Sequence, residues 1–260
     1  MLQDAGKILR IVRELMRDRK NPAKRLEALS KIGALLVPGY RFSWPDHDWW
    51  HNRPFNQYLA QFGETDGYNT HRRWALAQLL RMIAGVEGDT AECGVYRGAA
   101  SYAILVANAK SDYRRYHHVF DSFEGLSAPV AEDGSYWTRG DLTAPEQMAH
   151  DQLCDFPDKI FYKGWIPDRF AEVADRRFAC VHVDVDLYQP TRDSIAFFYP
   201  RLSPGAIFVC DDYGLKVCPG ATKACDEFLE DKSEKMISMP DGAGFFVKGL
   251  RTSPELFAAG

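Results

Sequence analysis

Long apolar runs are missing from this sequence. No stretch of the 260 residues approaches the ~18 consecutive apolar positions a membrane-spanning helix needs. The N-terminus (MLQDAGKILRIVRELMR) interrupts its apolar residues with charges, where a signal peptide keeps an unbroken apolar core. A cytoplasmic chain with no membrane contact is expected. A basic excess is missing too: lysine and arginine total 32 against 36 acidic residues, a net charge of −4. No broad basic face is available to neutralise many phosphates, which argues against nucleic acid as a partner. The six cysteines form no C-x-x-C pair, and Cys180 and Cys210 sit inside apolar runs, so buried free thiols are expected rather than zinc ligands or disulfides. Internal repeats, low-complexity segments and the phosphate-gripping G-x-G-x-x-G are also absent. What remains, 46% hydrophobic and 26% charged residues, is an ordinary globular composition with material for a core.

Two parts are distinguishable along the chain. In residues 1–66, Leu9, Ile11, Val12, Leu15 and Met16 recur at helical spacing, as do Leu26, Leu29, Ile32 and Leu35, before Pro38-Gly39 breaks the pattern. The segment 40–62 is dense in aromatics (Tyr40, Phe42, Trp44, Trp49, Trp50, Phe55, Tyr58, Phe62) and suits a satellite core, with a lid or a dimer contact as alternatives. This N-terminal helical extension or lid precedes a domain over 67–260.

In that domain a helix carrying Trp74, Leu76, Leu79, Leu80 and Ile83 opens an alternation of helical and strand-like segments. Strands are expected at Thr90–Cys93, His117–Phe120, Lys159–Tyr162, Phe178–Val185 and Ala206–Cys210. The alternation predicts an α/β fold, a mostly parallel sheet with helices on both faces. Lys235–Met239 and Gly244–Lys248 read as strands joined by Pro240-Asp241-Gly242-Ala243. That connection is too short for a crossover helix, so the terminal strand should run antiparallel.

The first chemical signal is Glu92-Cys93-Gly94-Val95-Tyr96-Arg97-Gly98-Ala99-Ala100-Ser101, which ends a strand and opens a helix. Glycine at 94 allows a tight turn close to a ligand, and Gly98 leaves the first helical N–H groups facing it. The carboxylate of Glu92 would repel a pyrophosphate but could hold an ammonium. The next strand ends in Asp121, followed by Ser122, where an acidic residue takes the hydroxyls of a ribose. A nucleoside with a positive, amino-acid-like tail fits both features.

The second signal is a pair of aspartate doublets, Asp184-Val185-Asp186 and Asp211-Asp212, each closing an apolar strand. Arg192–Tyr199 reads as a crossover helix and Ser203-Pro204-Gly205 as a turn into the second strand, which brings both doublets to the carboxyl edge of one sheet. Four carboxylates there repel unless a cation or shared protons intervene, and an oxygen-only donor set favours Mg²⁺, Mn²⁺ or Ca²⁺ over zinc. A single aspartate at a strand end commonly only caps the next helix or turn. His182, two residues before Asp184, is expected as a satisfied core histidine outside the site.

In their order, Glu92-x-Gly94-Val95-Tyr96-Arg97-Gly98, Phe120-Asp121-Ser122-Phe123-Glu124-Gly125-Leu126, Gly164-Trp165, Asp184-x-Asp186-Leu187-Tyr188 and Asp211-Asp212-Tyr213-Gly214 resemble the macrocin O-methyltransferase family. The resemblance runs from about Asn69 to Gly249. It implies a Rossmann-like class I methyltransferase fold and S-adenosylmethionine- and Mg²⁺-dependent methylation of a sugar hydroxyl, with Mn²⁺ as an alternative metal. It implies that Glu92, Gly94, Tyr96, Gly98, Ser101, Asp121 and Ser122 bind the cofactor, that Asp184, Asp211 and Asp212 hold the metal, and that Asp186 is the general base. A glycosyl or polyhydroxyl small molecule is the expected acceptor, and a homo-oligomer the expected assembly. Val185 stands where the family has a small residue, and Asp133–Leu142 has no clear counterpart. Two other readings compete: a haloacid-dehalogenase-type phosphatase, which would leave Glu92–Gly98 without a task, and a methyltransferase-like binding protein without turnover.

Overall fold

The computed structural model describes residues 2–17, 20, 22–36, 48–65 and 67–253. The chain divides into two compact units, Met1–Gln61 and Phe62–Gly260. In the first, α1 (Leu2–Arg17) and α2 (Pro22–Leu36) pack on each other, followed by a 3₁₀ turn, Asp48–His51, and α3 (Arg53–Phe62). Pro22 begins α2, where its missing N–H costs nothing. Trp49 meets Phe55 edge to face at 6.3 Å, while Tyr40, Phe42 and Trp44 lie outside the described residues.

The second unit holds α4 (Gly67–Leu79), β1 (Asp89–Cys93), α5 (Ala99–Asn108), β2 (His117–Asp121), α6 (Glu146–Gln152), β3 (Lys159–Lys163), β4 (Phe178–Val183), α7 (Tyr188–Phe198), β5 (Leu202–Cys210), α8 (Pro219–Leu229), β6 (Ile237–Ser238) and β7 (Gly244–Val247). They form one seven-stranded sheet in the order β3-β2-β1-β4-β5-β7-β6. The first five strands are parallel, while β7 pairs antiparallel with both β5 and β6. The chain therefore reverses direction of progress between β1 and β4, the place where open α/β sheets leave a crevice at their carboxyl edge.

Strand periodicity separates two kinds of interior. Ala91, Cys93, Phe120, Val181, Val183, Phe208, Cys210 and Phe246 belong to a wholly apolar cluster. On the opposite face, Cys180, Ile207 and Val209 pack with Leu76 and Leu80 and with Ala100 and Ile104 of α5. Between these apolar contacts runs a polar row, because Thr90 pairs with His117 across β1 and β2, and Glu92 with His182 across β1 and β4. All four side chains are buried.

Two strand ends differ from the sequence expectation. Expected to reach Val185, β4 stops at Val183: the Asp184 N–H still donates to Cys93 O (2.9 Å), but Asp186 turns to φ 60°. Instead of a turn at Ser203-Pro204-Gly205, β5 runs through these residues with a break in register, Phe178 pairing with Leu202 and Cys180 with Ile207. A bulge lets proline sit in the strand without a ladder N–H. The six cysteines are free and five are buried, with Cys154 exposed.

Candidate active site

Every chemical signal of the sequence converges on the carboxyl edge. Beyond the strands, Gly94 N–H donates to Phe120 O (2.9 Å), Gly164 N–H to Asp121 O (2.9 Å) and Asp211 N–H to Val183 O (2.8 Å), so the strand-end loops are fixed by continuing ladders. Above them lies a cavity of about 520 Å³, in the range of small-molecule sites. Its wall joins the Val95–Arg97 turn and Asp121 on one side to Asp184, Asp186 and Asp212 on the other.

The turn depends on Gly94, at φ 81°: a Cβ there would lie 1.8 Å from Asp184 O, so only glycine lets β1 and β4 leave the sheet side by side. Gly98, at φ 89°, ends the turn and precedes α5 without itself lining the cavity. Asp121 organises the loop from the neighbouring strand, one carboxylate oxygen accepting Val95 N–H (2.7 Å) and Tyr96 N–H (3.1 Å) and the other Phe123 N–H (2.6 Å). A carboxylate has roughly four acceptor sites, so one stays available to a ligand hydroxyl. Ser122 uses its hydroxyl in the same loop, donating to Gly125 O (3.2 Å) and accepting from Glu124 N–H (3.0 Å). Tyr96 is partly exposed, and the Arg97 guanidinium lies 4.8 Å from its ring centre.

Glu92 lines the cavity yet is almost fully buried, and Ser101, which does not line it, donates to the Glu92 carboxylate from α5. The other Glu92 oxygen meets His182 Nδ1 at 3.1 Å, and His182 Nε2 lies 3.5 Å from Asp211 Oδ1. His182 is the expected core histidine, and it also bridges Glu92 at the end of β1 and Asp211 at the end of β5. Burial opposes its charge, but Asp211 and Glu92 outweigh that and push it up to about 10. His117, with no carboxylate so close, is pushed down to about 3 by burial and by His118 and His182.

The four aspartates do not play equal parts. Asp184, Asp186 and Asp212 face the cavity, whereas Asp211 sits behind them against His182, Arg72 and Arg73. Burial would raise Asp211, but Arg72 and His182 hold it well below the usual carboxylate range. Asp184 and Asp212 are raised by burial and by Asp211. Asp186 is pushed up to about 8 by burial and by Asp212. Its backbone N–H donates to Asp212 Oδ2 (2.9 Å), and the Cys218 thiol lies 3.5 Å from its Oδ1. Its left-handed backbone is a conformation that aspartate tolerates better than most residues and that concentrates at functional sites.

Three features escaped sequence reasoning. Arg72 and Arg73 of α4 bring cations to the acid edge, Arg73 also pairing with Glu64 at 2.7 Å. Asp133, in the segment that sequence reasoning leaves unaligned, is buried and accepts Val130 N–H (2.8 Å) and Tyr188 N–H (2.6 Å), capping α7 from a distant loop. Trp137 from that loop donates to Cys218 Sγ at 3.4 Å and closes the cavity wall.

The donor chemistry tolerates a hard divalent cation. Four aspartates face two guanidiniums, one shared with Glu64, so the edge stays acidic and three of its carboxyls are driven toward the protonated form. Among the described residues, Asp186, Asp212 and Cys218 also bring one ligating atom each within 4.8 Å of one another. Burial and the neighbouring Asp212 and Asp186 drive the Cys218 thiol upward, while the carboxylates supply the oxygen donors a hard cation prefers.

Sheet order, antiparallel terminal strand and carboxyl-edge cavity together define a Rossmann-like fold of the class I O-methyltransferase type. One solved neighbour, the O-methyltransferase NovP, superposes with a TM-score of 0.58 at 25% identity over 73% of this chain and 87% of that one. The chain belongs to the Macrocin-O-methyltransferase (TylF) family, whose model matches residues 71–248. It is 32% identical over 149 residues to the 8-demethyl-8-(2,3-dimethoxy-alpha-L-rhamnosyl)-tetracenomycin-C 4'-O-methyltransferase of Streptomyces olivaceus, covering 53% of this chain and 57% of that protein. It is 29% identical over 153 residues to the mycinamicin III 3''-O-methyltransferase of Micromonospora griseorubida, covering 52% and 58%. The chain thus spans little more than half the length of these relatives. The family assignment removes the ground for the phosphatase reading.

Proposed function

We propose that this chain is an S-adenosylmethionine-dependent O-methyltransferase that methylates a hydroxyl of a sugar or glycosylated natural product, with the help of Mg²⁺ or Mn²⁺. The observation that carries this reading is the shared cavity lined by Gly94–Arg97 of the turn and by the Asp184, Asp186 and Asp212 carboxylates. The names of the relatives support a sugar hydroxyl as acceptor.

Glu92 would offer negative charge to the amino end of the cofactor, the Val95–Arg97 turn would line its body, and Asp121 has an acceptor site left for a ribose hydroxyl. Opposite, Asp186 would accept the proton that the acceptor hydroxyl loses on methylation, the methyl group being what S-adenosylmethionine would supply when bound. Asp184 and Asp212, backed by Asp211, would hold the divalent cation, which supplies Lewis acidity toward that hydroxyl. Orientation of the two reactants contributes up to ~7–11 kcal/mol when the approach is aligned. Residues 67–260 form the catalytic domain and 1–66 an N-terminal extension. A cytoplasmic homo-oligomer completes the reading. Among the described residues no helix is long and apolar enough to cross a membrane.

Calorimetric titration of S-adenosylhomocysteine tests the reading. Saturable binding is expected, weakened roughly tenfold in Asp121→Ala, which loses both the turn's anchor and the ribose acceptor. Absence of binding to the wild-type protein refutes it.

A further inference from the structure

We propose that Arg72 is a built-in counter-ion of the acid edge and that a divalent cation enters only by displacing it, so that this arginine sets the site's affinity for metal. The inference deepens the reading of the acid edge given above and rests on it.

One nitrogen carries the geometry. Arg72 Nη2 contacts Asp211 Oδ2, lies 3.3 Å from Asp212 Oδ1 and 3.7 Å from Asp184 Oδ1, and so touches one oxygen of each of the three expected metal ligands. The same nitrogen donates to the backbone carbonyl of Asp211 at 2.9 Å, an anchor independent of the carboxylates. The side chain is only 8% exposed, so water screens little of its charge. Arg73 differs: its Nη1 reaches Asp211 at 3.7 Å, and its Nε is engaged by Glu64 at 2.7 Å.

Guanidinium does not lose its proton in a protein, so Arg72 cannot make room by becoming neutral. A hard divalent ion takes carboxylate oxygens at about 2.0–2.6 Å. An ion drawing on Asp184 Oδ1 and Asp212 Oδ1 competes for these oxygens with the Arg72 nitrogen, which lies 3.7 and 3.3 Å from them. Two cations that close in a buried site repel strongly, and only movement of the arginine relieves the conflict. Asp211, held from behind by His182 and Arg73, stays in place when Arg72 leaves. The cavity-facing Asp184 and Asp212 are the carboxylates that change partner.

The test uses the full chain after chelator treatment. Calorimetric titration with MgCl₂ should show weak binding to the wild type and binding at least about tenfold tighter to Arg72→Gln. The melting temperature of Arg72→Gln, lowered in chelator, should rise on adding Mg²⁺ by more than that of the wild type. Arg73→Gln should shift Mg²⁺ affinity less than about threefold. Equal or weaker Mg²⁺ binding by Arg72→Gln overturns the proposal, since the arginine would then assist the metal or be indifferent to it. Should that variant fail to fold, the wild type with isotope-labelled arginine serves instead. The Arg72 guanidinium resonance should move as Mg²⁺ is added, and an unmoved resonance at saturation also overturns the proposal. S-adenosylhomocysteine binding, measured on the same samples, separates the two failures. Its absence from the wild type removes the methyltransferase reading, while its presence without any Arg72 effect removes only this one.

Discussion

Replacing Gly94 by alanine should disable the protein far more severely than the same change at Gly98, although both glycines belong to one turn and both have positive φ. At Gly94 the added methyl falls 1.8 Å from Asp184 O, 2.8 Å from Asp184 C and 3.1 Å from Val185 Cγ1. The carbonyl cannot retreat alone, because Asp184 N–H is bonded to Cys93 O and Gly94 N–H to Phe120 O, each at 2.9 Å. Relief therefore means parting β1 from β4 by more than ~1 Å at the cavity floor, enough displacement to cost about 10²-fold in a reaction that depends on alignment. Left-handed backbone adds about 1–2 kcal/mol and overpacking about 1–3 kcal/mol, for a total of about 2–5 kcal/mol. At Gly98 the new methyl meets only Leu153 side-chain atoms at 3.4–3.6 Å, which can give, so the backbone cost of about 1–2 kcal/mol stands nearly alone. Urea denaturation with S-adenosylhomocysteine calorimetry on both variants checks this. Gly98→Ala should be folded and bind, while Gly94→Ala should be at least ~1 kcal/mol less stable than Gly98→Ala and bind poorly or not at all. Equal stability of the two, with Gly94→Ala binding as wild type, would refute the claim that the strand ends meet through that glycine.

Two further outcomes follow from other groups. Asp186→Asn should reduce methyl transfer by at least ~10²-fold while leaving S-adenosylhomocysteine affinity within about threefold, and an active variant would remove Asp186 from the role of base. Glu234 is a buried carboxylate that accepts Gly249 N–H (2.9 Å), the Ser233 hydroxyl (2.9 Å) and the Tyr199 hydroxyl (3.1 Å). Burial would raise it, but these hydrogen bonds win and bring it down to about 2 from an ordinary value of 4.5. Its contribution, at most about 3 kcal/mol, is fully present above pH 4.5 and lost as pH falls toward 2. The stability difference between wild type and Glu234→Gln should therefore shrink over that interval, and a difference independent of pH would contradict the assignment.

Legibility in the sequence followed the range of the interaction concerned. Strands β1, β2, β3 and the end of β5 were readable because each is a short apolar run, and the terminal hairpin because Pro240-Asp241-Gly242 leaves room for nothing but a turn. The carboxyl-edge cavity was readable because its residues follow those strands immediately. The early end of β4 was not, because it comes from the backbone of Asp186 and its bond to Asp212, set 26 positions later. The bulge in β5 was hidden by Pro204-Gly205, which resembles a turn when its neighbour in the sheet is unknown. Asp133 was equally opaque, since its partner Tyr188 is 55 residues away.

The largest gap concerned charge compensation. Four aspartates at two strand ends call for a cation, but spacing along the chain gives no reason to look for one on the protein. The structure brings one from Arg72, 140 positions before Asp212, and another from His182, whose two ring nitrogens face carboxylates of different strands. Neither residue carries a sequence signal: one lies in an ordinary helix, and the other looks like any histidine in an apolar strand. Their joint effect is to single out Asp211, which they hold ionised, from Asp184, Asp186 and Asp212, which burial and mutual repulsion drive upward. A doublet that reads as two equivalent ligands is thereby divided into a buried anchor and a cavity-facing donor, a division fixed by which side of Asp211-Asp212 the α4 arginine reaches first.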